Sequence, residues 1–448
     1  LEQRTVFAVG ALDPSFGDEG LARASLDLGG RFGDWAEAIA VDTRGRTVVV
    51  GFSQRSGGNL DFSVARFLDD GRLDPAFGSA GTATIAFDLG GNRRDQAHAV
   101  AIDSRGRVVV VGQAEVGGAD AHEFAVVRLL PNGRLDRSFS RDGKTTFRIN
   151  DATSVRSADS AYDVAISTGD RIIVVGKASP SGLEQGSVFG VARLTAAGAL
   201  DRSFGVAGRV VFDFPANPAV STPDIATGVA IDRQGRIVVV GSVGRETQDD
   251  TDFGVIRLTT NGAMDRTFGF PTLGYTTVSF GAEDRFGAGS LDRAADVAID
   301  GVGRIVVVGN VQDQAAVVRL STDGQLDPQF NGDGKLIFSF GDSLDQRSLA
   351  ASVALDASGL IYVAGSVQTG GSAEDRSAFG VARIGPSGAF DRRFQGDGTT
   401  IIRFDPGSAL VDRASAVAID RRGRILVGGS VQRAGSATFD FGVARLLR

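Results

Sequence analysis

The stretch Gly235-Arg236-Ile237-Val238-Val239-Val240-Gly241 returns along the chain as GRTVVVG from Gly45, GRVVVVG from Gly106, DRIIVVG from Asp170, GRIVVVG from Gly303, GLIYVAG from Gly359 and GRILVGG from Gly423. Each copy joins a turn residue, a β-branched or apolar run and a glycine, which is the pattern of a short buried strand. Seven copies require seven similar units. The chain must therefore fold as a repeat, each unit adding its own slice of core.

A second marker, Leu-Asp-x-x-Phe or a close variant, sets the period. Its copies start at Leu12, Leu73, Leu135, Leu200, Met264, Leu326 and Phe390, at spacings of 61, 62, 65, 64, 62 and 64 residues. A period near sixty with only strand-like segments predicts propeller blades rather than a helical solenoid. Within one unit, strand a is expected over 226–231, a tight turn over 232–235, strand b over 236–241 and strand c over 253–258. Asn261-Gly262 then turns the chain into the marker, since such pairs accept positive φ. Strand d follows, as over 81–89, 208–214 and 334–340.

The ends of the chain bear on topology. It opens on a marker and a strand d near 21–28 and finishes on a strand c. Elsewhere the marker starts seven residues after the strand-c arginine, and the same count from Arg445 continues the repeat into the Leu12 marker. The expectation is an all-β, seven-bladed β-propeller of four antiparallel strands per blade, one domain over 1–448. The N-terminal strand near 21–28 completes the blade of 412–448, so the ring closes without an open edge. An open β-solenoid would give no reason for complementary ends.

Composition narrows the function. Apolar residues make up 42% of the chain, enough for a packed core, and the net charge of −7 argues against a general nucleic-acid binder. Cysteine is absent, which removes disulfides and thiolate metal sites. No apolar run has the length of a membrane-spanning helix.

Two polar positions recur in every unit. Strand c carries Arg66, Arg128, Arg193, Arg257, Arg319, Arg383 and Arg445, and the marker carries Asp13, Asp74, Asp136, Asp201, Asp265, Asp327 and Asp391. Fixed register and the planar guanidinium predict an Arg–carboxylate pair pinning the corner between strands c and d of each blade. A third position, eight residues before each a–b turn, holds Asp34, Asp95, Asp159, Asp224, Asp292 and Asp412, with Ser348 in the sixth unit. A carboxylate there can accept backbone N–H bonds and fix a loop, or join a cation-binding ring. The loops 331–334 and 395–398 loosely resemble calcium loops but lack their dense oxygen ligands. Calcium is the one cofactor these positions leave open.

Function is expected where the units differ. The b–c and d–a connections vary and share one face, the longest being 150–158, 215–223 and 281–289, with 244–251 and 368–376 adding polar groups. His98 and His122 are the only histidines and fall in one unit. Trp35 is the only tryptophan, and Tyr162 aligns with His98 and Glu37. Trp35, Glu37, His98, His122 and Tyr162 are the candidate ligand-binding set at the propeller mouth. No nucleophile elbow, H-E-x-x-H or phosphate loop occurs, so no catalytic residue is assigned.

Together the Leu-Asp-x-x-Phe-Gly marker, the Asp-x-x-Gly-Arg-Ile-Val-Val-Val-Gly-Ser segment and the Asp-Phe-Gly-Val-Ala-Arg-Leu strand resemble the delta-sixty repeat family of bacterial propeller-type repeats, over nearly the whole chain. Ala315, where strand c otherwise begins with Phe, is a local departure. The resemblance implies a secreted or cell-surface protein without established catalytic residues. The expected function is a non-catalytic, exported interaction or structural module, working through the face of the b–c and d–a loops on a protein partner or surface assembly. A carbohydrate- or calcium-binding lectin-like propeller is the alternative, and a lyase or hydrolase at the mouth the next.

Overall fold

A computed structural model describes all residues except 1–7, 29–32, 91–93, 118–120, 151–156, 180–185, 216–222, 246–249, 270, 282–290, 342, 344–345, 370–375 and 406–409. The protein is a seven-bladed β-propeller with four antiparallel strands per blade. Blade one runs through Asp34–Val41, Thr47–Gln54, Leu60–Phe67 and Thr82–Ile85, as strands a to d. Among the described residues the one helical element is a short 3-10 turn at Ser56–Gly58. The a strands of neighbouring blades touch all round the ring and line its axis.

The ring closes as the chain ends require. Leu21–Ala24 pairs antiparallel with Phe439–Leu446, Leu21 opposite Ala444 and Ala24 opposite Phe441. Seven apolar clusters fill the seven blade–blade interfaces. One packs Val48, Val50, Phe62 and Val64 of blade one against Ala97, Val108 and Val110 of blade two. Another packs Phe16 and Val443 of blade seven against Val49 and Phe67 of blade one. Strands b and c are covered on both faces, which explains their unbroken apolar runs.

The repeated arginine and aspartate meet in all seven blades. Nε of Arg66, Arg128, Arg193, Arg257 and Arg319 lies 2.7–2.9 Å from Oδ2 of Asp74, Asp136, Asp201, Asp265 and Asp327. Arg383 reaches Asp391 at 2.9 Å, and Arg445 reaches Asp13 at 2.9 Å across the junction of the chain ends. Each guanidinium also lies 4.4–5.1 Å from the centre of its marker Phe ring. In six blades Nη1 donates onward to a backbone carbonyl in the c–d turn of the next blade: Pro131, Ala196, Thr260, Thr322, Pro386 and Asp69. The arginine thus fastens its own corner and the neighbouring blade together. Burial opposes the Asp136 charge, but the Ser138 hydroxyl and N–H and the Arg128 guanidinium outweigh it and hold the carboxyl below its usual range.

Strand d is shorter than the sequence predicts, four residues in every blade, as in Arg209–Phe212 and Lys335–Phe338. The chain beyond it leaves the ladder because another acceptor takes its N–H groups. Leu26, Phe87, Ile149, Phe214, Phe280 and Phe404 donate to the carboxylates of Asp34, Asp95, Asp159, Asp224, Asp292 and Asp412 at 2.7–3.2 Å, and Phe340 donates to Ser348 Oγ at 3.3 Å. The third repeated position therefore fixes the d–a handover. In the calcium-like loops, Asp333 and Asp397 accept the N–H of Lys335 and Thr399 at 2.9 and 2.8 Å and close their own turns.

Asp136→Ala should leave the buried Arg128 guanidinium without its counter-charge and cost about 3–5 kcal/mol. Removing the exposed Arg72–Asp70 pair should cost under about 1 kcal/mol. Denaturant titration of both variants checks the ratio.

Candidate functional site

Strand a carries a β-bulge in every blade, between the ladder partners of Ala36/Ala38, Ala97/Ala99, Ala161/Asp163, Ala226/Gly228, Ala294/Asp296, Ala350/Ser352 and Ala414/Ala416. A bulge leaves one residue unpaired and re-aims its side chain. The residues so placed are Glu37, His98, Tyr162, Thr227, Ala295, Ala351 and Ser415, and all seven line one axial cleft of about 980 Å³.

The glycine that ends each V-V-V-G run is the counterpart of this bulge. The bulge drives the carbonyl two residues before the aimed residue toward strand b. A Cβ on Gly51, Gly112, Gly176, Gly241, Gly309, Gly365 or Gly429 would lie 1.8–2.1 Å from that oxygen. The residue that closes the sequence signature therefore permits the geometry that points a side chain into the cleft.

The aimed residues divide the cleft. In blades four and seven they tie neighbours: Thr227 Oγ1 donates to the Ala294 carbonyl at 2.9 Å and Ser415 Oγ to the Ala36 carbonyl at 2.8 Å. In blades five and six they are alanines and leave space. In blades one to three they are Glu37, His98 and Tyr162, the His98 and Tyr162 ring centres being 5.2 Å apart. Two residues earlier on strand a, Trp35, Arg293 and Arg413 stand at the mouth, both arginines exposed. Trp35 stacks on Phe52 with ring centres 5.2 Å apart, and the Arg413 guanidinium lies 5.9 Å from the Phe439 ring.

Asp163 and Asp296, one residue after the bulges of blades three and five, were not picked out by sequence. Asp163 accepts Val164 N–H and, from blade four, Val229 N–H, both at 2.7 Å. Asp296 accepts Val297 N–H at 2.7 Å and, from blade six, Val353 N–H at 2.9 Å and Ser352 Oγ–H at 2.8 Å. They satisfy strand-a edge groups that no further strand covers. Burial and the nearby Asp296 charge push Asp163 up to about 8, and burial raises Asp296.

Burial likewise pushes Glu37 up to about 7, with Arg413 opposing, and pushes His98 down to about 4. Glu37 makes no hydrogen bond among the described residues. Near neutrality it is poised between acid and base, while His98 is an uncharged hydrogen-bonding ring.

Of the expected set, Trp35, Glu37, His98 and Tyr162 come together. His122 does not line the cleft. It starts strand c of blade two, opposite Glu115, and its N–H donates to the Ser157 carbonyl at 2.7 Å. Strand c is the third strand out from the axis, which separates the two histidines. Sequence reasoning also missed Arg293 and Arg413, which a count back from each V-V-V-G glycine would have aligned with Trp35. Much of the loops 150–158, 215–223, 281–289, 244–251 and 368–376 lies outside the described residues. Among the described residues no three His, Asp or Glu side chains group as metal ligands, and no helix is long and apolar enough to cross a membrane.

A family profile described as "Domain of unknown function (DUF5122) beta-propeller" matches residues 45–77, 106–139, 170–204, 235–268 and 303–330. Each match starts in an a–b turn and ends on the marker Phe of blades one to five, in register with the propeller repeat of the fold. No curated protein matches. Among solved structures, a protein of unknown function from Dyadobacter fermentans is similar at 13% identity and TM-score 0.44, over 78% of this chain and 94% of that one. An α-L-arabinofuranosidase from Fusarium graminearum is similar at 10% identity and TM-score 0.42, over 78% and 92%. A structure described as a putative gluconolactonase is similar at 12% identity and TM-score 0.36, over 99% and 100%.

Gly241→Ala should force the Ile225 carbonyl back and cost about 1–3 kcal/mol, measured by thermal and denaturant unfolding. The titrating groups set the pH dependence. Glu37, Asp95, Asp163 and Asp224, raised by burial to about 7, 6, 8 and 7, hold protons in the folded chain that the unfolded chain releases near pH 4. Stability therefore falls as pH rises from about 4 to 8, by up to about 1.4 kcal/mol per pH unit per group. His98 acts oppositely, and its contribution is lost as pH falls from about 6.5 to 4. Thermal midpoints across this range should show Glu37→Gln flattening the decline up to pH 7 and His98→Phe removing part of the acid-side loss.

Proposed function

We propose that this propeller is a non-catalytic, exported or cell-surface binding module that holds a polar, sugar-sized ligand in its axial cleft, entered from the face of the b–c and d–a loops. The observation that carries this reading is the uneven lining of the cleft. Blades one to three aim Glu37, His98 and Tyr162 inward beside Trp35, whereas blades five and six place Ala295 and Ala351 opposite. Large aromatic and polar groups facing small ones leave a volume with a recognition wall. Rings that offer an apolar face beside hydrogen-bonding groups suit the alternating CH and OH surfaces of a sugar. Arg293 and Arg413 at the mouth favour a ligand that carries a carboxylate.

A broad protein-docking surface has less support among the described residues, where the exposed large apolar side chains are the scattered Leu89, Val206, Val211, Val302 and Leu326. Lyase or hydrolase chemistry at the mouth is favoured by one observation, the proton that Glu37 retains close to neutrality without a hydrogen-bond partner. Asp163 and Asp296 already accept backbone groups, so a second carboxylate free to act is lacking among the described lining residues. A cysteine-free chain suits either redox compartment, so the exported or cell-surface placement rests on the resemblance of its repeats to bacterial propeller-type repeats.

Calorimetry against neutral and acidic mono- and disaccharides tests the reading. Trp35→Ala and Tyr162→Ala should each weaken binding at least about tenfold with unfolding unchanged, and product analysis should find the bound sugar intact. Binding that survives both substitutions removes the cleft from the account. Turnover abolished by Glu37→Gln replaces the binding module with an enzyme.

A further inference from the structure

The face opposite the cleft mouth, built from the a–b turns, the c–d turns and the markers, carries an uneven charge. The third marker residue is Arg in three consecutive blades, Arg137, Arg202 and Arg266, and all three are exposed. Arg105 and Arg233 add exposed guanidinium groups on the a–b turns of blades two and four. At the same marker position blades seven, one and five carry Pro14, Pro75 and Pro328. Blade six carries exposed Arg392 at this position, with Arg393 held by Asp391 at 3.1 Å, but there Asp323, Asp333 and Asp397 of blades five and six are exposed as well.

The acids within the basic sector are engaged elsewhere. Asp103 holds Arg107 at 2.6 Å, Asp136 holds Arg128 at 2.8 Å, Asp232 holds Arg236 at 2.6 Å and Asp265 holds Arg257 at 2.7 Å. Asp201 is shared by Arg171 and Arg193, at 3.2 and 2.9 Å, and Asp170 lies 3.3 Å from Arg107 and 3.8 Å from Arg105. Asp142 is the exposed acid of the sector, and it caps the N–H of Lys144. Arg137, Arg202, Arg233 and Arg266 have no acidic partner among the described residues. A chain of net charge −7 therefore keeps an arc of uncompensated positive charge on one side of one face.

Three further features bear on the partner. The marker phenylalanines are fully buried, so the arc offers no aromatic platform for bases. Val206 and Val302, in turns of blades three and five beside the arc, are 83% and 71% exposed. A groove of about 840 Å³ opens between blades two and three, where Arg105 and the Thr168 hydroxyl stand beside Asp170, the Ser104 and Ser138 hydroxyls being held by Asp170 and Asp136. Unpaired guanidinium groups suit a phosphodiester, and protruding valines beside them suit an acyl boundary. Turns of nearly equal length give the face a common level.

The geometry points to this face as a docking surface for an anionic lipid bilayer, with phosphodiester headgroups taken by the arc of Arg105, Arg137, Arg202, Arg233 and Arg266 and with Val206 and Val302 at the headgroup level. Docked so, the protein turns its cleft mouth away from the membrane. The inference is independent of which ligand the cleft takes. Binding should be electrostatic and salt-sensitive, since each basic residue near such a surface adds attraction that screening removes.

Co-sedimentation of the full chain with phosphatidylcholine vesicles, with and without phosphatidylglycerol, tests it. Binding is expected only with phosphatidylglycerol. Arg202→Ser/Arg266→Ser should weaken it about tenfold or more, and Val206→Ser/Val302→Ser should weaken it by a smaller factor. Arg347→Ser/Arg376→Ser, which removes the same charge from the loop-bearing face, should leave it within about twofold. Thermal midpoints of all variants establish that they fold. Absence of binding to phosphatidylglycerol vesicles overturns the proposal, as does equal weakening by the two arginine pairs. Tighter, arc-dependent binding to single-stranded nucleic acid than to vesicles also overturns it and assigns the arc to a soluble polyanion.

Discussion

The guanidinium on strand c is the fastening on which the ring depends. It pairs with a carboxylate eight residues on, or across the chain ends in blade seven, lies over the marker Phe and, in six blades, donates to a carbonyl of the following blade. A buried ion pair is costly to desolvate and gains little unless its remaining donors are satisfied. Here most donors lead to a fixed partner, Arg319 Nη2 and Arg383 Nε being exceptions, so the pair specifies geometry more than it adds net stability. It sets the angle of the c–d corner and the approach of the next blade together. A ring of seven tolerates little error in that step, because deviations accumulate before the ends must meet at Leu21–Ala24 and Phe439–Leu446.

The cleft arises from a second constraint nearer the axis. The a strands have no further strand on their inner edge, and their N–H groups must still be satisfied. Asp163, Asp296 and Ser352 accept such N–H groups in part of the ring, and Thr227 and Ser415 donate to strand-a carbonyls, all by bonds that cross from blade to blade. Where the aimed residue makes no such tie, in blades one and two, the bulges aim Glu37 and His98 into open volume, beside Tyr162 from blade three. Structural and recognition roles thus divide one set of equivalent positions between them. The raised carboxyl values belong to both roles, so a shifted pKa in this cleft does not by itself mark a reacting group.

The two faces differ in the same way. On the turn face, repeated acids are used up by repeated arginines, and whatever varies beyond that register stands out as exposed charge. On the other face, the loops vary in length and content, and the cleft opens among them. Both asymmetries are departures from the repeat. A sevenfold pattern therefore locates function by subtraction, because a residue present in every blade is needed for packing and one present in a few blades is not.

Read alone, the residues determined the period, the blade count, the four strands of each unit and the closure by the N-terminal strand, because strand patterning and fixed spacings are local and survive in one dimension. The seven Arg–Asp pairs were legible for the same reason, since a constant separation between opposite charges in every copy leaves few other partners. The V-V-V-G glycine was visible but its purpose was not, because the carbonyl it accommodates is brought to it by pairing with strand a. His122 stood in the same unit as His98, yet a whole strand of the sheet lies between them. Asp163 and Asp296 lie two blades apart and in no common motif, so only the circular arrangement of blades could bring their charges together. Residue order decides what each blade is. Which side chains meet at the axis follows from the bulge and the circular arrangement of blades, and both are properties of the assembled sheets.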